Sequence, residues 1–446
     1  MTTPIFDFVK AYAKSDTSRF HMPGHKGKSF LGCEHLDITE INGADVLYAA
    51  SGIIDESEHN ATSLFGSAHT FYSAEGSSLS IKAMLALIKE NVSGDRTKIL
   101  ASRNVHKAFI YACALLDIDV EWIFPKNSAE LYSYAITPEE LENKLSNNDV
   151  IPHAFYLTSP DYLGNMADIK GLADVCHKHG IPLLVDNAHG AYLSFLEPSL
   201  HPLDLGADMC CDSAHKTLPV LTGGAYLHIS KGYDIYTADE VRNAMALFAS
   251  TSPSYLILQS LDLCNTYLAN GYRNRLNECV DQANNLKRFL CDIGFSPNEN
   301  TEPLKIVFSK ASCGYSGIEL ANVLSEFKIE VEFADENNLV LMLTPENNGT
   351  DIKRLIEAFL SVSPAKSTEK DSFIEWQEPT AALSIRDAIF SKSESVPTRL
   401  AKGRICASPA VSFPPAIPVV VSGELITDEI IKILLYYGIE NIDVIK

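Results

Sequence analysis

Four short stretches of the chain carry side chains suited to chemistry on a small molecule. Asp212-Ser213-Ala214-His215-Lys216 is a polar, turn-prone string between two apolar runs, and Gly223-Gly224 opens the second of them. A buried lysine without a partner is costly, so either Lys216 leaves an ordinary loop for solvent or its amine has a task. Gly76, Ser77 and Ser78 precede a strong helical pattern. Backbone N–H groups and hydroxyls at such a helix start suit a phosphate, although Ser77 or Ser78 could equally be a plain N-cap. Asp186 ends the apolar run Leu183-Leu184-Val185, either capping the next loop or holding a ring nitrogen in its protonated form. His106 stands where another apolar run enters a helix, placed to cap that helix or to stack on a flat ring.

Each stretch alone has a bland reading. Together they supply a phosphate cradle, a flat stacker, a carboxylate for a pyridine nitrogen and an amine for an aldehyde. That set describes pyridoxal phosphate, with Lys216 as its anchor.

The elements that must position these residues follow from the pattern of apolar runs. Lys98–Ala101, Val120–Phe124, His153–Pro160, Ile181–Gly190, Asp208–Lys216 and Gly223–Ile229 read as the strand-bearing runs, with helices at Val105–Leu116 and Ala167–Gly180 between them. Strands alternating with helices predict a mostly parallel sheet covered on both faces. Ligands of such sheets bind at the carboxyl ends of the strands, where Ser159-Pro160-Asp161, Asp186–His189 and Ser213–Lys216 all fall. One long helical pattern runs from Ser254 to Gly294. A smaller α+β unit follows, with strands at Leu304–Ser309, Ile329–Ala334 and Asn338–Thr344, and helices at Gly317–Phe327 and up to Val362. Residues 363–372 read as a linker. The expected division is 1–295 for an N-terminal segment and large domain, 296–365 for the small domain, and 373–446 for a C-terminal domain.

Composition excludes several classes. The 446 residues exceed one simple core, and 46% hydrophobic with 21% charged residues describe an ordinary globular protein. A formal charge of −21 argues against nucleic acid or an anionic membrane as partner. The ten cysteines form no CxxC pair and no metal-ligand spacing. Most lie in apolar stretches, as expected in a reducing cytoplasm. The first residues do not read as a signal peptide, and no apolar run reaches membrane-spanning length.

Several motifs then bring a family into view. Arg19–Gly27 (RFHMPGHKG), Asp37–Tyr48, Phe71–Ser78, Asn104–Ala108, Tyr156–Ile169, Val185–Tyr192, Asp212–His228, Ser250–Asp262 and Ser412–Glu424 resemble, in order, the ornithine/lysine/arginine decarboxylases. The likeness is to the short bacterial form that lacks the N-terminal wing domain. It implies an α/β architecture of pyridoxal-phosphate fold type I (aspartate aminotransferase-like), with a small α+β domain and a C-terminal domain. It also implies that Lys216 forms the Schiff base, Asp186 meets the pyridinium, His106 stacks on one ring face and Ala188 packs on the other. Gly76, Ser77, Ser78, Ser213 and His215 would hold the phosphate, His189 belongs to the cofactor site, and Thr251 would reach the phosphate of a partner subunit. The implied assembly is a homodimer or higher homo-oligomer with shared sites.

The implied reaction is decarboxylation of a basic amino acid, with arginine favoured over lysine and ornithine, feeding polyamine synthesis. Asp186 would keep the ring protonated, and Lys216 or His215 would return a proton to Cα. An aminotransferase or carbon–carbon lyase would need the same Lys216 and Asp186, and a non-catalytic paralogue would keep the fold. The distal cation needs an acidic or aromatic reader. Asp45, Asp161 and Glu424 are the candidates, each also readable as a cap or surface charge. Asn187 departs from the family pattern, which often has an acid there.

Overall fold

In the computed structural model of the chain, residues 1–92, 96–124, 136–148, 150–299, 301–364, 378–413 and 417–446 are described. Most of the expected linker, from residue 365 onward, therefore lies outside the described residues. The chain forms two compact units: residues 1–100, 145–158 and 169–273, and residues 101–144, 159–168 and 274–446.

The strands in chain order are β1 (His69–Ser73), β2 (Lys98–Ser102), β3 (Asp119–Ile123), β4 (Ala154–Thr158), β5 (Leu183–Asp186), β6 (Met209–Asp212) and β7 (Ala225–Ile229). In the first unit they stand in the order β1-β7-β6-β5-β4-β2. β4, β5 and β6 run parallel, whereas β7 is antiparallel to both β6 and β1. The strands β5, β6 and β7 are buried along their whole length, which is why they read as nearly continuous apolar runs instead of alternating ones. Helix Ser77–Glu90 buries nine of its residues from Leu79 to Ile88, as a helix apolar on most sides must. The expected α/β sheet is present.

The long helical pattern after Ser254 is two helices, Tyr255–Ala269 and Tyr272–Asp292. Between them Asn270 leaves the helical conformation and Gly271 takes φ +74°, a left-handed value that glycine adopts without penalty.

In the second unit β8 (Lys305–Ser309), β9 (Phe333–Ala334) and β10 (Asn338–Met342) form an antiparallel sheet in the order β8-β10-β9. Helices Gly317–Glu326 and Gly349–Leu360 each begin with a capping box, from Ser316 and Asn348. The expected strand from Ile329 shrinks to two residues, because only Phe333 and Ala334 pair with β10, opposite Val340 and Leu339. The C-terminal segment adds β11 (Ser393–Pro397), β12 (Ala410–Phe413), β13 (Ile417–Val421) and β14 (Asn441–Ile445). Helix Asp428–Tyr436 packs Ile430, Ile431, Ile433 and Leu434 with Val419, Val420, Ile442 and Val444 into a core of their own.

Candidate active site

The first unit gathers one set of the candidate residues where β5 and β6 end side by side, with Asp186 beside Cys211 in the parallel register. Beyond β6, Ser213 leads into the short helix Ala214–Thr217 that carries His215 and Lys216. The Lys216 Nζ lies 3.0 Å from His189 Nε2, so the amine turns back toward the loop that follows Asp186. Lys216 is half-buried and His189 buried. The solvent reading of Lys216 is thereby set aside.

The glycine–serine stretch meets the same place. The cap of helix Ser77–Glu90 is Gly76 (φ +72°), and no side chain caps its first turn. Neither Ser77 nor Ser78 is the N-cap, so the bland reading of these serines does not hold. Instead Ser213 Oγ–H donates to Ser77 Oγ at 2.7 Å. Gly76 N–H donates to Gly223 O at 2.7 Å. Gly223 itself has φ +101°, and a Cβ there would stand 3.0 Å from Ala74 O. Gly223 is thus the backing of the serine loop, whereas Gly224 O accepts from His215 N–H. His215 is held by Gly224 O, 3.0 Å from its Nδ1.

Asp186 is 2% exposed. Its Oδ1 accepts from Ala188 N–H at 3.2 Å and from Cys211 Sγ at 3.6 Å, and its Oδ2 from Tyr156 Oη–H at 3.4 Å. These are long contacts, and an ionised carboxylate has about four lone-pair positions. Capacity remains for a short, charge-assisted bond from a protonated ring nitrogen. An uncapped helix start lined by hydroxyls, an amine and a buried carboxylate fit the phosphate, aldehyde and pyridine ends of pyridoxal phosphate.

Behind this surface lies a network that the motifs did not disclose. Asp212 is fully buried, and its Oδ2 is met by His201 Nε2 at 3.0 Å and His228 Nε2 at 3.2 Å. Asn187 Nδ2 donates to its Oδ1 at 2.7 Å. His228 Nδ1 continues to Thr70 Oγ1 at 2.8 Å, and Thr70 to Ser67. Burial pushes the Asp212 carboxyl up, but the two imidazoles outweigh it and hold the group below the ordinary carboxylate range. Burial lowers His228. The departure at Asn187 now has a physical reason: an acid there would face a buried carboxylate of like charge, whereas the amide donates to it. A carboxylate adjoining Ser213 in sequence was a visible signal, but nothing local pointed to His201 or His228.

Thr251 lies exposed in the turn before helix Tyr255–Ala269. Its neighbour Ser250 donates its N–H to Glu75 Oε1 at 2.6 Å, which ties that turn to the serine loop. Asp45 accepts from the N–H groups of Ser51, Gly52 and Ile54. It caps the start of helix Ile53–Phe65, which corrects its candidacy as a reader of a distal cation.

In the second unit His106 is the N-cap of helix Lys107–Leu116, its Nδ1 accepting from Ala108 N–H at 3.2 Å. Glu424 is spent on Arg103, with both oxygens bonded at 2.7 Å, so it is no reader of a distal cation either. Asp161 accepts from the backbone and side-chain nitrogens of Asn165 at 2.9 and 2.8 Å. Burial pushes the Asp161 carboxyl up to about 6, against the pull of those Asn165 bonds. The unfolded carboxyl titrates near pH ~4. Between roughly pH 4 and 6 the folded chain therefore keeps a proton that the unfolded chain has lost, and stability falls as pH rises through that window. Asp161→Asn should shrink the fall in unfolding free energy between pH 4.5 and 7 by at most about 2 kcal/mol. Equal losses in the variant and the parent, followed by denaturant titration at both pH values, would show that Asp161 does not titrate there.

Comparison with known proteins settles the family. The family model for the major domain of Orn/Lys/Arg decarboxylases matches residues 3–310, and the model for their C-terminal domain matches residues 368–440. The chain belongs to the Orn/Lys/Arg decarboxylase family. An arginine decarboxylase of Bacillus subtilis (strain 168) is 32% identical over 473 aligned residues, 99% of this chain and 94% of that protein. One of Bacillus anthracis is 30% identical over 96% of this chain and 91% of its own length. Among solved structures, a lysine decarboxylase of Francisella novicida superimposes with a TM-score of 0.82 over 100% of this chain and 81% of its own, at 18% identity. At that identity the likeness speaks for the fold.

Proposed function

We propose that this member of the decarboxylase family removes the α-carboxylate of a basic amino acid, arginine first, using pyridoxal phosphate held on Lys216. The observation that carries this reading is the Lys216 amine, turned to His189 at 3.0 Å beside the buried Asp186. The full-length similarity to proteins named arginine decarboxylase supports the choice of arginine. When bound, pyridoxal phosphate supplies a sink for the electron pair left at Cα as carbon dioxide departs.

The chain's own residues have distinct tasks in this reading. Ser77, Ser78 and Ser213, with Gly76 and His215, hold the phosphate at the start of helix Ser77–Glu90, where the helix dipole also favours an anion. Asp186 holds a proton on the pyridine nitrogen, because the ring's cationic form is its natural partner in a buried setting. His106 and Ala188 take the two ring faces, as the resemblance implies. Lys216 donates a proton to Cα after carboxylate loss, with His215 as the alternative donor. His189, 3.0 Å from the Lys216 amine, would hold that amine once the substrate has displaced it. A substrate carboxylate held loosely would suit this reaction, since tight ground-state binding would oppose its departure. A cytoplasmic setting and a place in polyamine synthesis complete the proposal. The deciding measurement is product analysis with arginine, lysine and ornithine. Agmatine as the main product is expected, and amine products from none of the three would overturn the reading.

The proposed active unit is a homodimer, with Thr251 reaching the partner's phosphate. Cofactor occupancy then depends on association, because each subunit lacks one phosphate donor on its own. Mixing Lys216→Ala chains with Thr251→Ala chains should restore one hybrid site that has both the amine and the hydroxyl. Sedimentation of a fully active monomer, or well-exchanged mixtures that regain no activity, would exclude the shared site.

A further inference from the structure

The C-terminal segment grips one helix at both ends, and that helix is the one capped by His106. At its start, Arg103 lies between the end of β2 and the His106 turn and is fully buried. Its Nη1 and Nη2 meet Glu424 Oε1 and Oε2 at 2.7 Å each, and its Nε donates to Pro418 O at 2.9 Å. The guanidinium stacks on Trp122 with 4.8 Å to the ring centroid. Glu424 is oriented in turn by Val421 N–H, 2.8 Å from its Oε2. Val105 N–H closes the turn onto Arg103 O at 2.9 Å, so a fixed Arg103 fixes the backbone leading to His106. At the other end, Arg386 of helix Ile385–Phe390 donates from Nη1 to Ala114 O at 2.8 Å and to Leu115 O at 3.3 Å. Those are the terminal carbonyls of helix Lys107–Leu116, where a cation is favoured by the helix dipole.

Such an arrangement has a cost that packing alone would not require. A fully buried guanidinium is tolerated only when its donors are satisfied and its charge is met. Here both carboxylate oxygens and a backbone carbonyl are committed to it, and they come from a segment more than 300 residues away in sequence. Bidentate pairing also fixes orientation, which a point charge would not do.

We propose that the C-terminal domain is a positioning clamp for the His106 helix. Arg103, Glu424 and Arg386 set the pose of His106 without touching the cofactor themselves. The functional half of this inference rests on the proposed stacking role of His106. The C-terminal domain would then be a working part of the enzyme.

The test uses the full chain loaded with pyridoxal phosphate. Glu424→Gln keeps the side-chain volume but removes the charge that meets Arg103, and Arg386→Ala removes the exposed grip at the other end. Lys402→Ala breaks an exposed ion pair with Asp428 in the same domain and serves as the control. Expected in the first two variants are amide exchange over residues 104–110 faster by about 10-fold or more, weaker cofactor binding and an altered visible dichroism of the bound cofactor. With them, kcat should fall by about 10-fold while KM stays within about 2-fold. Arg386→Lys, which can still donate to the two carbonyls, should restore most of each signal.

Folded variants whose 104–110 exchange matches the parent would overturn the clamp. Faster exchange with unchanged dichroism, affinity and kcat would overturn its functional role. Equal effects from Lys402→Ala would mark general loosening and also overturn it. Should Glu424→Gln not fold, the Arg386→Ala and Arg386→Lys pair decides alone. A parent chain that binds no pyridoxal phosphate would instead sink the proposed function, and the exchange measurement would still decide whether the clamp exists.

Discussion

Replacing Lys216 with alanine is expected to lower turnover by roughly 10³-fold or more while leaving the fold intact, because in the proposed reaction one side chain supplies both the nucleophile and the proton donor. The substitution shortens a half-buried side chain on the four-residue helix Ala214–Thr217, so little core packing is lost. What disappears is the amine 3.0 Å from His189. Borohydride treatment of the cofactor-loaded parent should label one peptide, the one containing Lys216, and the variant should take up no label there. Label on Lys26 or Lys107, or a variant that keeps most of its activity, would move the anchor elsewhere. Added methylamine should recover part of the lost rate, since a small amine can enter the space and carry the proton. A fold lost in the variant would show as changed far-ultraviolet dichroism and is not expected.

Asp186→Asn is expected to keep the cofactor yet lose rate on the order of 10²–10³-fold, corresponding to about 3–4 kcal/mol of barrier. The amide has nearly the same shape and can still accept from Ala188 N–H, the 3.2 Å contact that shapes the loop. It cannot favour a positive charge on a ring nitrogen. The electron sink would weaken while the phosphate and amine contacts stay in place. The check is a comparison of cofactor affinity with single-turnover rate in the same preparation. Near-parental turnover would mean that the ring works unprotonated or that another group meets its nitrogen. A large loss of cofactor affinity with an unchanged rate per bound cofactor would assign Asp186 to binding and not to electronics.

Much of this site was legible in the chain before any fold was known. Asp186 ends one buried strand and Ser213 and Lys216 follow another, and a parallel strand buried on both faces is a continuous apolar run whose end is marked by the first polar residue. That is a local signal, and it placed β4, β5, β6 and β7 within a few residues. The helix start at Ser77 was equally visible, although the capping residue proved to be Gly76. Glycine is chosen there for its backbone, and the serines are left for another partner.

By itself, the sequence determined the elements of the sheet, the order of the chemical groups along it and the kind of cofactor they suit. All of these rest on periodicity and residue type over short spans. Only the tertiary structure decided how acidic residues divide between structural and chemical work. Asp45 is committed to a helix start, Glu424 to Arg103 across 321 residues of chain, and Asp212 to His201 and His228. It alone also divided the long helical pattern at Gly271 and cut the strand expected from Ile329 down to Phe333–Ala334. The reason is that a buried charge is satisfied by whichever partner the fold carries to it. Such partners lie far apart in sequence, where no local pattern records the pairing.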